Sequence, residues 1–111
     1  MDLRTDTVNG TVTVVAVDGD VDMSTAPQLE ERLSALSSGG ARNLIIDLTD
    51  VEFLDSSALG VLVGIHKQVS AAGGTIKLVC GHPRIERIFA ITRLTEVIPV
   101  FESIDAATRT D

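Results

Sequence analysis

Asp47-Leu-Thr-Asp-Val-Glu-Phe-Leu-Asp-Ser-Ser-Ala-Leu-Gly-Val-Leu-Val-Gly-Ile-His-Lys-Gln68 is the stretch on which the fold turns. Just upstream, Asn43 to Leu48 holds Leu44, Ile45 and Ile46 in succession, the continuous apolar run of a central strand covered on both faces. A short connection then leads to paired serines and to a helix expected from about Ser57 to Ala71, stopped by Ala72-Gly-Gly74. The first N–H groups of such a helix have no intrahelical acceptor. With the macrodipole, they favour a hydroxyl, carboxylate or phosphate at that end.

Upstream, Leu3 to Val8 and Thr11 to Val17 are rich in β-branched residues, and Asn9-Gly10 between them is a strong two-residue hairpin signal. Asp18-Gly-Asp-Val-Asp22 breaks the pattern into a short strand or bend, with Val21 turned inward. Thr25 is expected to cap the first helix, with Gln28 completing a capping box and Pro27 accommodated in the first turn. Ala26, Leu29, Leu33 and Leu36 give that helix one apolar stripe opposite Glu30, Glu31 and Arg32, and Ser37-Ser-Gly-Gly40 ends it.

Downstream, Thr75 to Cys80 reads as a strand, and Pro83 opens a third helix through about Ile91 with Ile85, Ile88 and Phe89 inward. Val97 to Phe101 is expected as an edge strand, because Pro99 has no N–H for a ladder. Ser103 to Thr110 is a short helix or frays. Strands separated by helices require parallel crossovers, while the opening hairpin is antiparallel. The expected class is α/β: one domain over residues 1–111, a mixed sheet of four to five strands with helices packed on it. In such sheets ligands meet the carboxyl ends of the strands, where the Ser56 and Ser57 corner lies.

A chain of 111 residues that is 44% hydrophobic suffices for one core. Its net charge of −7 argues against nucleic acid or an anionic membrane as main partner. The absence of Tyr and Trp removes the aromatic platforms on which bases stack. A single cysteine, Cys80, forms no internal disulfide, no signal-peptide pattern opens the chain, and no apolar run approaches about 18 residues. A cytoplasmic protein is expected.

The catalytic, metal and nucleotide readings find no supporting pattern. Around Ser56 there is no Gly-x-Ser-x-Gly elbow, and His66 lies roughly 15 Å along the same helix, too far to act as its base. His82 has nothing in the sequence to bring it near Ser56. Cys80-Gly-His-Pro-Arg84 is too short a loop for a thiol phosphatase, so Cys80 is read as a small apolar strand residue. Neither zinc spacing nor a calcium loop is present, since Asp18, Asp20 and Asp22 lack the glycine and distal glutamate of an EF-hand. Nor is there a Gly-x-x-x-x-Gly-Lys phosphate loop. No metal and no cofactor are expected, and the chain is not read as an enzyme.

Plain helix capping is the simplest reading of Asp55, Ser56 and Ser57. Two features of the helix go beyond it. Ala58, Leu59, Val61, Leu62, Val63 and Ile65 cover nearly its whole circumference, so part of that surface is available for a partner or a weak homodimer. Gly60 and Gly64 lie four apart on one face at about 1 kcal/mol each relative to alanine, for close approach either to a partner or to the chain's own sheet.

The run Asp47 to Gly60, with Val61-Leu-Val-Gly64 and Lys67-Gln68, resembles the signature of bacterial anti-sigma factor antagonists, which are stand-alone STAS domains. Gly19-Asp-Val-Asp22 and Ala72-Gly-Gly-Thr75 match as well, so the resemblance covers nearly the whole chain. It implies a STAS-like fold and phosphorylation at Ser56 by a partner that is both serine kinase and anti-sigma factor. Unphosphorylated, the protein would bind that partner and free the sigma factor; a serine phosphatase would reset it. Ser57 becomes the neighbouring cap, Asp22 an acidic position near the binding surface and Asp55 the residue orienting the serine. The first helical turn, Ala58, Leu59, Gly60 and Val61, completes the partner surface. Ala58 stands where many members have Gly. The alternatives implied are a scaffold subunit of a larger sensory complex, with Ser56 structural, and an accessory domain of an anion transporter, which a self-contained chain disfavours.

Overall fold

The computed structural model describes residues 1–109 and contains one five-stranded sheet in the order β1-β2-β3-β4-β5. The strands are β1 (Asp2–Val8), β2 (Val12–Asp18), β3 (Asn43–Asp50), β4 (Thr75–Val79) and β5 (Val100–Phe101), and the helices are α1 (Ala26–Ser38), α2 (Ser56–Ala71), α3 (Pro83–Ile91) and α4 (Ile104–Arg109). β1 and β2 are antiparallel and every later neighbour is parallel. The expected mixed α/β class is therefore what forms.

Alternation along the strands divides the sheet into two faces. Val15, Val17, Leu44, Ile46, Leu48, Ile76 and Leu78 join one cluster with Leu29 and Leu33 of α1, Leu62 and Ile65 of α2, and Ile85 and Phe89 of α3. Val14, Ile45 and Val79 point the other way, into a smaller cluster closed by Ala107 of α4. Ile45 is thus buried between Leu44 and Ile46, as a strand covered on both faces requires. Lys77 faces the α4 side, donating from Nζ to the Ala107 carbonyl at 2.9 Å and standing over the Phe101 ring.

α1 and α2 lie side by side on the larger core, tied where Ser34 Oγ donates to Gln68 Oε1 at 3.2 Å and Gln68 Nε2 donates back to the Ser34 carbonyl at 3.4 Å. Both helices end as the glycines direct, with Gly40 and Gly73 at φ +106° and +83°. At Gly74 a Cβ would be driven into the Arg42 carbonyl, the group that accepts from Thr75 N. Only glycine fits this entrance to β4.

Three expectations shift. Val8 pairs with Val12, so Thr11 belongs to the hairpin loop rather than to β2. Thr25 precedes α1 but makes no side-chain cap, and no capping box with Gln28 forms. The last strand is only Val100–Phe101, because Leu94–Glu96 coil into a short 3-10 turn and Val97 follows it. Of the expected last helix, Ile104–Arg109 is formed, and Thr110 lies outside the described residues.

Candidate functional site

α2 begins one residue earlier than its serines imply. Asp55, extended at φ −115° and ψ −171°, is the N-cap, and its Oδ1 accepts from Ser57 N at 2.8 Å and Ala58 N at 3.3 Å. A carboxylate satisfies two free amides and complements the positive end of the helix, so it displaces the hydroxyl from the cap. Ser57, expected to cap, is instead a half-buried residue of the first turn. Ser56 is left exposed as the first residue of the helix. It is reachable from solvent and is not the acceptor that holds α2 in place.

The loop between β2 and α1 is fastened to this corner. Val21 N donates to the Phe53 carbonyl at 3.0 Å and Asp55 N donates to the Val21 carbonyl at 3.2 Å, a two-bond parallel bridge between Val21 and Leu54. Val21 and Leu54 are buried beneath it, as expected of Val21. One residue on, Asp22 Oδ1 accepts from Ser24 N at 2.9 Å and Thr25 N at 3.2 Å, and its carbonyl accepts from Ala26 N at 2.7 Å. Thr25 Oγ1 closes the loop by donating to the Asp20 carbonyl at 2.9 Å while accepting from Asp22 N at 3.0 Å. Asp22 is therefore the residue that shapes the loop, and it is half-buried. Asp20 and Glu52 are the exposed charges flanking it on the two loops.

The structure brings Asp22, Asp55, Ser56 and Ser57 together and divides the first turns of α2. Ala58 and Val61, expected on the partner face, are buried in the core at 2% and 7% exposure, and so drop out of any docking surface. Leu59 and Val63 are half-buried and packed against that core. The wide apolar arc of α2 thus goes mainly to the sheet and α1, and Leu59 and Val63 are the part of it left partly exposed. Gly60 and Gly64 are both exposed, and a Cβ at either would meet nothing within 4 Å. Packing against the chain's own sheet does not require them. With Ser56 and Lys67 they form the solvent face of α2 at spacings of four, four and three.

Two residues escaped the pattern reading. Met23 is 78% exposed and Phe53 46% exposed, each on a loop bordering the serine corner. An apolar residue inside an acidic loop gives no periodicity to detect, and only the fold shows that it faces water.

The remaining nucleophiles and bases sit on other elements or further along α2. His82 is the N-cap of α3, its Nδ1 accepting from Arg84 N at 3.2 Å. His66 lines a small depression of about 260 Å³ with Ser70, Thr75 and Pro99. Cys80 is fully buried just past β4, and burial pushes its thiol pKa above the usual range. No helix among the described residues is long and apolar enough to cross a membrane.

Comparison with known proteins places this architecture. Residues 4–107 match the STAS domain family. The chain is 42% identical over 86 residues to the anti-sigma-B factor antagonist of Bacillus subtilis (strain 168), covering 78% of each. It is 33% identical over 91 residues to the protein of the same name in Staphylococcus aureus (strain NCTC 8325 / PS 47), covering 82% of this chain and 84% of that one. The crystal structure of an anti-sigma factor antagonist from Mycobacterium paratuberculosis superposes with a TM-score of 0.90 at 30% identity, over 97% of this chain and 91% of the other.

Proposed function

The chain belongs to the STAS domain family, and from that premise we propose that it is an anti-sigma factor antagonist switched by phosphorylation at Ser56. Unphosphorylated, it binds a partner that is both anti-sigma factor and serine kinase, and so frees a sigma factor. Phosphorylated, it is rejected, until a serine phosphatase restores it. The protein acts by binding, in the cytoplasm, and performs no chemistry of its own.

One observation carries the reading: Ser56 is exposed at the start of α2 while Asp55 supplies the cap. A kinase can reach the hydroxyl, and modifying it removes no hydrogen bond that holds the helix. The phosphate adds about −1.5 to −2 charge and three acceptor oxygens at a helix N-terminus that tolerates an anion. The free domain therefore stays folded. In a complex, the same dianion is enclosed beside the Asp55 carboxylate. Moving a complex from 99% to 1% occupied requires about 5.5 kcal/mol, and an uncompensated buried ion costs several kcal/mol. One phosphate is sufficient for the switch.

The test is incubation of the protein with its genome-encoded serine kinase/anti-sigma factor and ATP, followed by peptide mass mapping. Phosphate on the peptide containing Ser56, absent in Ser56→Ala, is expected. An unmodified Ser56, with the protein held in large assemblies indifferent to ATP, would favour the scaffold reading instead.

A further inference from the structure

The corner around Ser56 carries two features that phosphorylation alone does not use. The first is apolar: Met23 and Phe53 project from the two loops that the Val21–Leu54 bridge fastens together, at 78% and 46% exposure. Isolated exposed apolar side chains are ordinary. These two are joined through paired backbone rather than scattered, and both border the exposed serine. The other large exposed apolar residues, Ile91 and Val97, lie at and beyond the end of α3. The second feature is charge. Residues 18–25 carry Asp18, Asp20 and Asp22, residues 50–57 carry Asp50, Glu52 and Asp55, and neither segment has a Lys or Arg. His82 and Arg84 lie at the next connection, between β4 and α3, which leaves the same carboxyl edge of the parallel strands.

We infer that Met23 and Phe53 are the apolar anchors by which this corner docks, and that the surface they fit is an apolar cleft on the partner rimmed by Lys or Arg side chains. The inference rests on the preceding reading that the corner binds a protein, and adds which side chains grip and what they grip. Protein interfaces concentrate affinity in a few desolvated apolar anchors inside a polar rim. A thioether chain adapts to an uneven cleft, whereas a phenyl ring fills a deep one. The acidic loops select a basic rim and accelerate encounter in a salt-dependent way. Asp22 and Asp55 are committed to backbone amides, so the steering charges are the exposed Asp18, Asp20, Asp50 and Glu52. Met23 lies in a loop whose shape is set by Asp22 and Thr25 rather than by its own side chain. This leaves it free to set partner choice without disturbing the fold.

The experiment measures affinity for the genome-encoded serine kinase/anti-sigma factor by calorimetry, for wild type, Met23→Ser, Phe53→Ser and the double variant Asp20→Asn/Glu52→Gln. Melting temperatures are recorded for each, and the measurements are made at low and high salt. Met23→Ser and Phe53→Ser are each expected to weaken binding at least tenfold at both salts, with a smaller negative heat-capacity change and an unchanged melt. Asp20→Asn/Glu52→Gln is expected to slow association at low salt and to flatten the salt dependence. Wild-type affinity in both apolar variants, with Ser56 still phosphorylated by the partner, overturns the anchors and leaves the proposed switch standing. Loss of self-association in these variants, without change in partner affinity, also overturns the inference, by assigning the patch to a second copy. If the wild-type protein neither binds nor is phosphorylated, the switch falls and the inference with it.

Discussion

Replacing Gly60 and Gly64 with alanine should make the protein more stable and a poorer binder. Both lie within α2, both are exposed, and an added Cβ at either meets no atom within 4 Å. Nothing in the fold opposes the change. Each glycine costs a helix interior roughly 0.5–1 kcal/mol relative to alanine, chiefly through freedom in the unfolded chain, so the pair should add about 1–2 kcal/mol. Unfolding entropy near 2.1 cal/mol/K per residue gives about 0.23 kcal/mol/K for 111 residues. The double variant should therefore melt about 4–9 °C higher, with a raised urea midpoint and an unchanged slope. Its affinity for the partner should fall, since two methyl groups now roughen the face that adjoins Ser56. A lower melting temperature would refute the placement of these glycines on open solvent. A higher one with full affinity would refute their part in docking.

Three further outcomes follow from the same geometry. Asp55→Ala removes the acceptor of both Ser57 N and Ala58 N. It should cost about 1 kcal/mol, while Asp55→Asn, which keeps an acceptor, should lose well under that; chemical denaturation separates the two. Ser56→Asp should unfold within about 1 kcal/mol of wild type, because a carboxylate at a helix N-terminus is tolerated or mildly favourable, and a much larger loss in a melting curve would show that Ser56 is structural. Cys80 is buried, with its thiol pKa raised by desolvation. In the native protein it should react with a thiol reagent only as fast as the fold opens, and rapid labelling at pH 8 would contradict that burial.

Much of this arrangement was legible in the chain, for identifiable reasons. Leu44, Ile45 and Ile46 announce a strand buried on both faces, and the structure gives Ile45 to the α4 side and its neighbours to the other. The paired glycines at Gly39-Gly40 and Gly73-Gly74 mark helix ends because left-handed backbone and the approach of Arg42 demand them. What stayed hidden depended on contacts between distant segments. Asp, Ser and Thr are comparable caps, so sequence could not choose Asp55 over Ser57, or foresee that Asp22 would shape the loop before α1 while Thr25, the expected cap of that helix, makes no cap hydrogen bond. The apolar arc of α2 looked too wide for one neighbour, and it has two: the sheet and α1. That is why Ala58 and Val61 are core residues and not contacts. Val97 and Ile98 have the composition of a strand, yet the 3-10 turn before them delays pairing until Val100.

The central claim is that one phosphate on Ser56 separates the protein from its partner without unfolding it. The direct measurement is calorimetric titration of the partner with the unphosphorylated protein and with the same protein phosphorylated stoichiometrically at Ser56, each confirmed folded by its melt. At about 1.4 kcal/mol per tenfold, the shift from 99% to 1% occupied corresponds to a weakening of about 10,000-fold, and a loss of that order is expected on phosphorylation, with the two melting temperatures alike. Equal affinities for two folded forms would contradict the account.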